Sequence, residues 1–178
     1  MLTTQTRRFF DIIKARSDEN EKSMQLLLEA ECYALVGAII RMELDSLIRV
    51  EDFNSSTDSR KTDLLNNFFQ SKLESRKWIQ YDSQMVKNYS RTMGWAHHIY
   101  HFCCAFVHLS PYHDWASNRN ITNLTQSERR IIINEIKNQQ YDPSLTIDEN
   151  FGFDELIPFA PHIFRKLRGN LLYAMQCN

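Results

Sequence analysis

The sequence predicts an all-α fold: a single-domain bundle of five to six helices with two long antiparallel core helices. Three observations lead there. Gly and Pro number only four each in 178 residues, against usual shares of about 7% and 5%. That leaves few tight turns and disfavours sandwiches, barrels and Gly-rich nucleotide folds. Apolar residues recur at helical spacing, and caps and prolines punctuate them at helical lengths. The length suits one core, so one domain over residues 1–178 is expected.

In chain order, a first amphipathic segment runs from about Thr4 to Ala15, with Phe9, Phe10, Ile12 and Ile13 on its apolar side. Ser17-Asp-Glu-Asn-Glu21 reads as a helix entry, a capping side chain followed by acids in the first turn. A long helix then extends from about Glu19 to Val50 and ends near Asp52. Asp58 is placed to cap a third helix to about Lys72, which buries Leu64, Leu65, Phe68 and Phe69. A second long helix is expected from about Ser83 to Leu109, stopped by Ser110-Pro111. Residues Tyr112 to Asn123 read as a polar, aromatic loop. Thr125-Gln-Ser-Glu128 forms a capping box before a fifth helix to about Gln140. The β-branched run Ile131 to Ile133 is assigned to that helix, because a cap precedes it and polar residues follow. A last helical segment, broken early by Pro158 and Pro161, reaches about Met175.

Composition excludes some functions. The formal net charge is −1, so no strong overall field favours nucleic acid or acidic membranes, although a local patch remains open. The longest uncharged apolar stretch, Cys32 to Ile40, falls far short of the roughly 20 residues a bilayer span needs. It reads as the buried middle of a core helix. The first ten residues hold no apolar run of secretory-leader type. Cys32, Cys103, Cys104 and Cys177 form no CxxC pair, and Cys103 and Cys104 lie in an apolar helical segment as small hydrophobes. A reduced, cytoplasmic protein without membrane association is expected. The sequence has no phosphate loop, nucleophile elbow or HExxH motif, and no cofactor is expected.

Chemistry concentrates in two helices. His97, His101 and His108 share one stripe with Cys104, within about 40° of one another at 100° per residue. Trp95, Ile99, Phe102 and Phe106 take the opposite, core-facing side. His97 and His101 stand at the i, i+4 spacing that lets two imidazoles meet one metal ion, with Glu43 or Asp45 of another helix as the carboxylate to complete it. The ordinary alternative is half-buried, hydrogen-bonded histidines. A histidine titrating near neutrality also suits acid–base chemistry on a phosphodiester, with an arginine to hold the phosphate. Arg91 and His97 have such a spacing, one that a chain of this composition produces by chance. On the earlier long helix, Arg41, Asp45 and Arg49 follow i, i+4 steps, and a salt-bridge ladder is the simpler reading of them. The basic run Arg165-Lys-Leu-Arg168 reads as a solvated face, with no aromatic stacking platform evident beside it.

Two segments together resemble the HEPN superfamily, in particular its degenerate branch among bacterial abortive-infection and uncharacterised proteins. The first, Ala38-Ile-Ile-Arg41-Met-Glu43-Leu-Asp-Ser-Leu-Ile-Arg49, looks like that group's long "R-x-x-x-E/D…R" helix. The second, Cys103-Cys-Ala-Phe-Val-His108-Leu-Ser110, looks like the end of its other core helix, where a histidine closes an R-N-x-x-x-H motif. The resemblance covers about residues 20–112, with residues 113–178 as a helical extension, and it implies a homodimer. In active members the Arg and His support metal-independent RNA cleavage in the dimer cleft. Here His108 matches, but Cys103 and Cys104 stand at the Arg and Asn positions, so an arginine would have to come from Arg41 or Arg91. Three functions follow: a non-catalytic module binding a protein or nucleic-acid partner in a defence or stress context; a metal-independent ribonuclease or toxin using His108, or Arg91 with His97; and a metal-dependent bundle enzyme using His97 and His101.

Overall fold

A computed structural model describes residues 4–70, 86, 94, 96, 98–100, 103, 125–139, 144 and 146–176. Among these, every regular element is helical. The elements are α1 (Thr4–Glu29), α2 (Tyr33–Ser55), α3 (Asp58–Phe69), α4 (Gln126–Gln139), a single turn α5 (Phe153–Leu156) and α6 (Ala160–Gln176), with a 3₁₀ turn over Ile157–Phe159. Val86, Gly94, Ala96, His98–Tyr100 and Cys103 are helical as well. The rest of the expected second long helix lies outside the described residues.

Among the described residues, α1 and α2 form a pair of long antiparallel helices, a different pair from the expected one. Phe9 meets Phe53, Arg16 meets Asp45 and Asn20 meets Glu43, so contacts advance along α1 as they retreat along α2. The expected break at Ser17 is absent. α1 runs unbroken through Ser17, which is buried, and the chain reverses at Ala30–Cys32 instead. Cys32 N–H bonds to Leu27 C=O at 2.8 Å and Glu31 N–H to Leu28 C=O at 3.2 Å, with Glu31 left-handed at φ 55°. This is a Schellman stop built without glycine. Cys32 therefore stands at the N-cap of α2 and is exposed, so Cys32–Ile40 is the start of a helix rather than the buried middle of one.

α6 lies parallel to α2. Asn54 Nδ2 donates to Ala174 C=O at 2.7 Å where both helices end, and Ile40 and Ile163 share a groove nearer their starts. α3 begins one residue after Thr57, whose hydroxyl accepts from Arg60 N–H; Asp58 occupies the first turn rather than the cap. Its Phe68 seats edge-on against Phe9 at 5.0 Å, which ties α3 to α1. α4 starts after Thr125, as expected, and carries Ile131–Ile133 in helical form. Pro158 and Pro161 mark the 3₁₀ turn and the first turn of α6, where a proline needs no donor N–H.

The main core joins Phe9 and Ile13 of α1, Leu44 and Leu47 of α2, and Leu167 and Leu171 of α6, with Ala96, Ile99 and Cys103. Each fully buried Leu or Phe contributes about 1.5–3 kcal/mol. A smaller cluster gathers Ile133, Ile136, Phe151 and Phe159, and Ile163 touches both. The last helix, α6, is part of the central core. No described helix is long and apolar enough to cross a membrane.

Candidate functional site

Among the described residues, α2 carries the candidate side chains Arg41, Glu43, Asp45 and Arg49. Its inner stripe, Val36, Ile40, Glu43, Leu44 and Leu47, is buried, so helical spacing places a carboxylate in the core. Glu43 is fully buried. Ser17 Oγ donates to its Oε1, and Asn20 Nδ2 donates to its Oε2 at 2.9 Å. Arg168 of α6 donates from Nη1 to Ser17 Oγ at 2.7 Å and from Nη2 to Asp18 Oδ1 at 2.8 Å, and pairs with Glu21 at 3.1 Å. Lys14 closes on Asp18 at 2.6 Å. The hydrogen bonds from Lys14 and then Arg168 hold the Asp18 carboxyl below its ordinary value.

This knot ties three helices together. Both Glu43 oxygens are hydrogen-bonded, which is the condition under which a buried carboxylate is tolerated. It is a joint, with its acceptors committed, rather than an open reaction site.

The expected ladder on the outer side of α2 forms only in its second half. Asp45 takes Arg49 in a two-pronged pair, at 3.0 Å from Nε to each oxygen, and Arg16 lies 3.5 Å away. Arg41 instead lies over the Tyr100 ring, 4.0 Å from its centroid. α2 and the helical residues His98–Tyr100 are thus neighbours. Ile99, expected on the core side, is buried, and so is Cys103 at 0% exposure.

Next to them runs an apolar groove of about 650 Å³, counted out to its open mouth. Ile40 of α2, Ile136 of α4 and Ile163 of α6 form its walls. Tyr33 and His98 bring the polar side-chain atoms to it.

Of the residues singled out from the sequence, the structure places Arg41, while Arg91, His97, His101 and His108 lie outside the described residues. The two carboxylates proposed to complete a metal site are otherwise engaged: Glu43 with Ser17 and Asn20, Asp45 with Arg49. Among the described residues no group of three or more His, Cys, Asp or Glu side chains could hold a metal ion.

Sequence reasoning missed the joint. Ser17 and Asn20 continue the stripe Phe10, Ile13, Met24 at steps of three and four, a signal hidden once Ser17 is taken for a cap. Arg168, assigned to a solvated face, turns inward to α1 because the acids Asp18 and Glu21 wait there. No protein-family model matches the chain, and neither does any curated protein or solved structure.

Proposed function

We propose that the protein is a HEPN-like helical module without ribonuclease activity, acting by binding a protein or nucleic-acid partner in a defence or stress context. One observation carries the reading. Cys103, which stands where active members have arginine, is fully buried in the main core. A guanidinium there would be desolvated at a cost of several kcal/mol without a partner, and a thiol supplies no positive charge to a phosphate. Arg41, the one described candidate to replace it, lies over Tyr100. Cys32 and Cys103 are thiols outside any disulfide, which suits a reducing compartment, and we place the module in the cytoplasm. A homodimer accompanies the resemblance, and sedimentation equilibrium measures it.

The test is incubation of the purified chain with mixed cellular RNA in EDTA, and in parallel with added zinc or manganese, beside His108→Ala, His97→Ala and His101→Ala. No cleavage by any of them is expected. Cleavage in EDTA that disappears in His108→Ala overturns the reading in favour of a metal-independent ribonuclease. Its loss only in His97→Ala points to the Arg91 pair. Cleavage that needs added metal and disappears in His97→Ala and His101→Ala establishes the metal-dependent enzyme.

A further inference from the structure

The outer face of α6 differs from every other described helix face in its chemistry. The helix from Ala160 to Gln176 contains no acid. Phe164, Leu167, Leu171 and Ala174 turn into the core. At about 100° per residue, His162, Lys166, Gly169 and Tyr173 fall within an arc of about 60° on the opposite side, with Arg165 along its edge. Arg165 is exposed, and its Nη2 stands 3.2 Å from His162 Nδ1, so the two basic heads sit together. Tyr173 is 70% exposed. The stripe is about 16 Å long from His162 to Tyr173 at 1.5 Å per residue. Arg168, the remaining cation of the helix, is drawn off to Asp18 and Glu21 and offsets the acids on that flank.

Gly169 is the second observation. Glycine in a helix interior is destabilising relative to alanine. Usually a close neighbour explains it, but a Cβ added at Gly169 would meet nothing within 4 Å. Nothing within the described fold requires the missing side chain. A partner that lies close against this face would.

We infer that the outer face of α6 binds single-stranded nucleic acid, with Arg165 and Lys166 on backbone phosphates, Tyr173 stacked on an unpaired base and Gly169 leaving room for the strand. An exposed aromatic ring beside cations suits an unstacked base, which a duplex does not offer. A membrane is disfavoured, because the apolar side of α6 is used up in the core. The inference rests on the binding-module reading and names its partner.

The experiment is fluorescence anisotropy of the full chain with a labelled, mixed-sequence single-stranded RNA of about 12 nucleotides in EDTA, within the site sizes such surfaces cover, over a salt series. The wild type is expected to bind, with affinity falling as salt rises. Tyr173→Ala is expected to weaken binding about fivefold or more. Arg165→Gln with Lys166→Gln should flatten the salt dependence by about one to two phosphate contacts. Gly169→Leu should weaken binding without lowering the melting temperature, since its side chain projects into open space. Lys137→Gln, an exposed lysine of α4, should bind as wild type does.

Absence of salt-dependent binding, or equal binding by all variants, overturns the inference. So does displacement by polyglutamate as effective as by unlabelled RNA, which would make the face an acidic-peptide site. RNA cleavage in the earlier assay would overturn the module reading and this inference with it. Failed binding without cleavage overturns this inference alone.

Discussion

Replacement of Glu43 by alanine probes the joint that holds α1, α2 and α6. The carboxylate is fully buried and accepts from Ser17 and Asn20. Each hydrogen bond to a charged group is worth about 1.5–3 kcal/mol. Truncation also strands the Asn20 amide and leaves a small cavity. Because Ser17 keeps Arg168 as a partner, part of the loss is recovered. The expected cost is about 3–5 kcal/mol, from two hydrogen bonds and a cavity less what Ser17 recovers, which is about a fifth or more of a typical domain's 5–15 kcal/mol. Urea unfolding followed by circular dichroism at 222 nm reads it as a lower midpoint at unchanged slope. Should Glu43→Ala not fold, Glu43→Gln keeps the volume and one acceptor oxygen, and about 1–2 kcal/mol of loss is expected. A double-mutant cycle with Ser17→Ala should show coupling of about 1 kcal/mol or more. A Glu43→Ala variant within about 0.5 kcal/mol of wild type, the range of surface substitutions, would refute the buried joint.

Other consequences follow from the backbone and from two shifted carboxyl groups. Glu31 is left-handed at φ 55°, so Glu31→Gly should raise stability by about 1 kcal/mol, seen as a higher melting temperature; a loss would contradict the Schellman stop. Asp18 is held below its ordinary 3.8 by Lys14 and Arg168. Its stabilising contribution is therefore complete above pH 3.8 and is lost as pH falls through the folded value, and Asp18→Asn should flatten the acid side of the stability profile. Glu51 is raised above 4.5 by burial. Its protonated form favours the fold below pH 4.5, and that contribution is lost as pH rises through the folded value. Glu51→Gln should therefore stabilise the protein at neutral pH, with the gain disappearing below about pH 4.5. Urea midpoints across acid pH check both.

The parts of the fold that were legible had explicit punctuation. Thr57-Asp58, Thr125 and the pair Pro158 and Pro161 mark their helix ends to within a residue or two. The α1–α2 turn had no such mark. Glu29-Ala-Glu-Cys32 contains only residues a helix accepts, and the reversal rests on Glu31 entering a conformation usually given to glycine. Ser17 carried the opposite ambiguity: the same hydroxyl that caps a helix also serves inside one when a buried carboxylate faces it. For the candidate site, the sequence showed which residue types were present and that α2 carried charge. It did not show that Arg41 would choose Tyr100, or that Arg168 would leave its basic neighbours for α1, because both depend on which helices meet.

The proposal that Cys103, set against the arginine position of a HEPN-like motif, is held in the core is tested most directly by thiol mapping. The folded chain would be exposed to a bulky maleimide, digested and read residue by residue by mass spectrometry. Cys32, exposed at the N-cap of α2, should label fast, and Cys103 should label only as the chain unfolds, its rate rising with urea. Labelling of Cys103 as fast as Cys32 in the folded protein would put that position on the surface, where an arginine-like role toward phosphate would again be open to it, and would contradict the account.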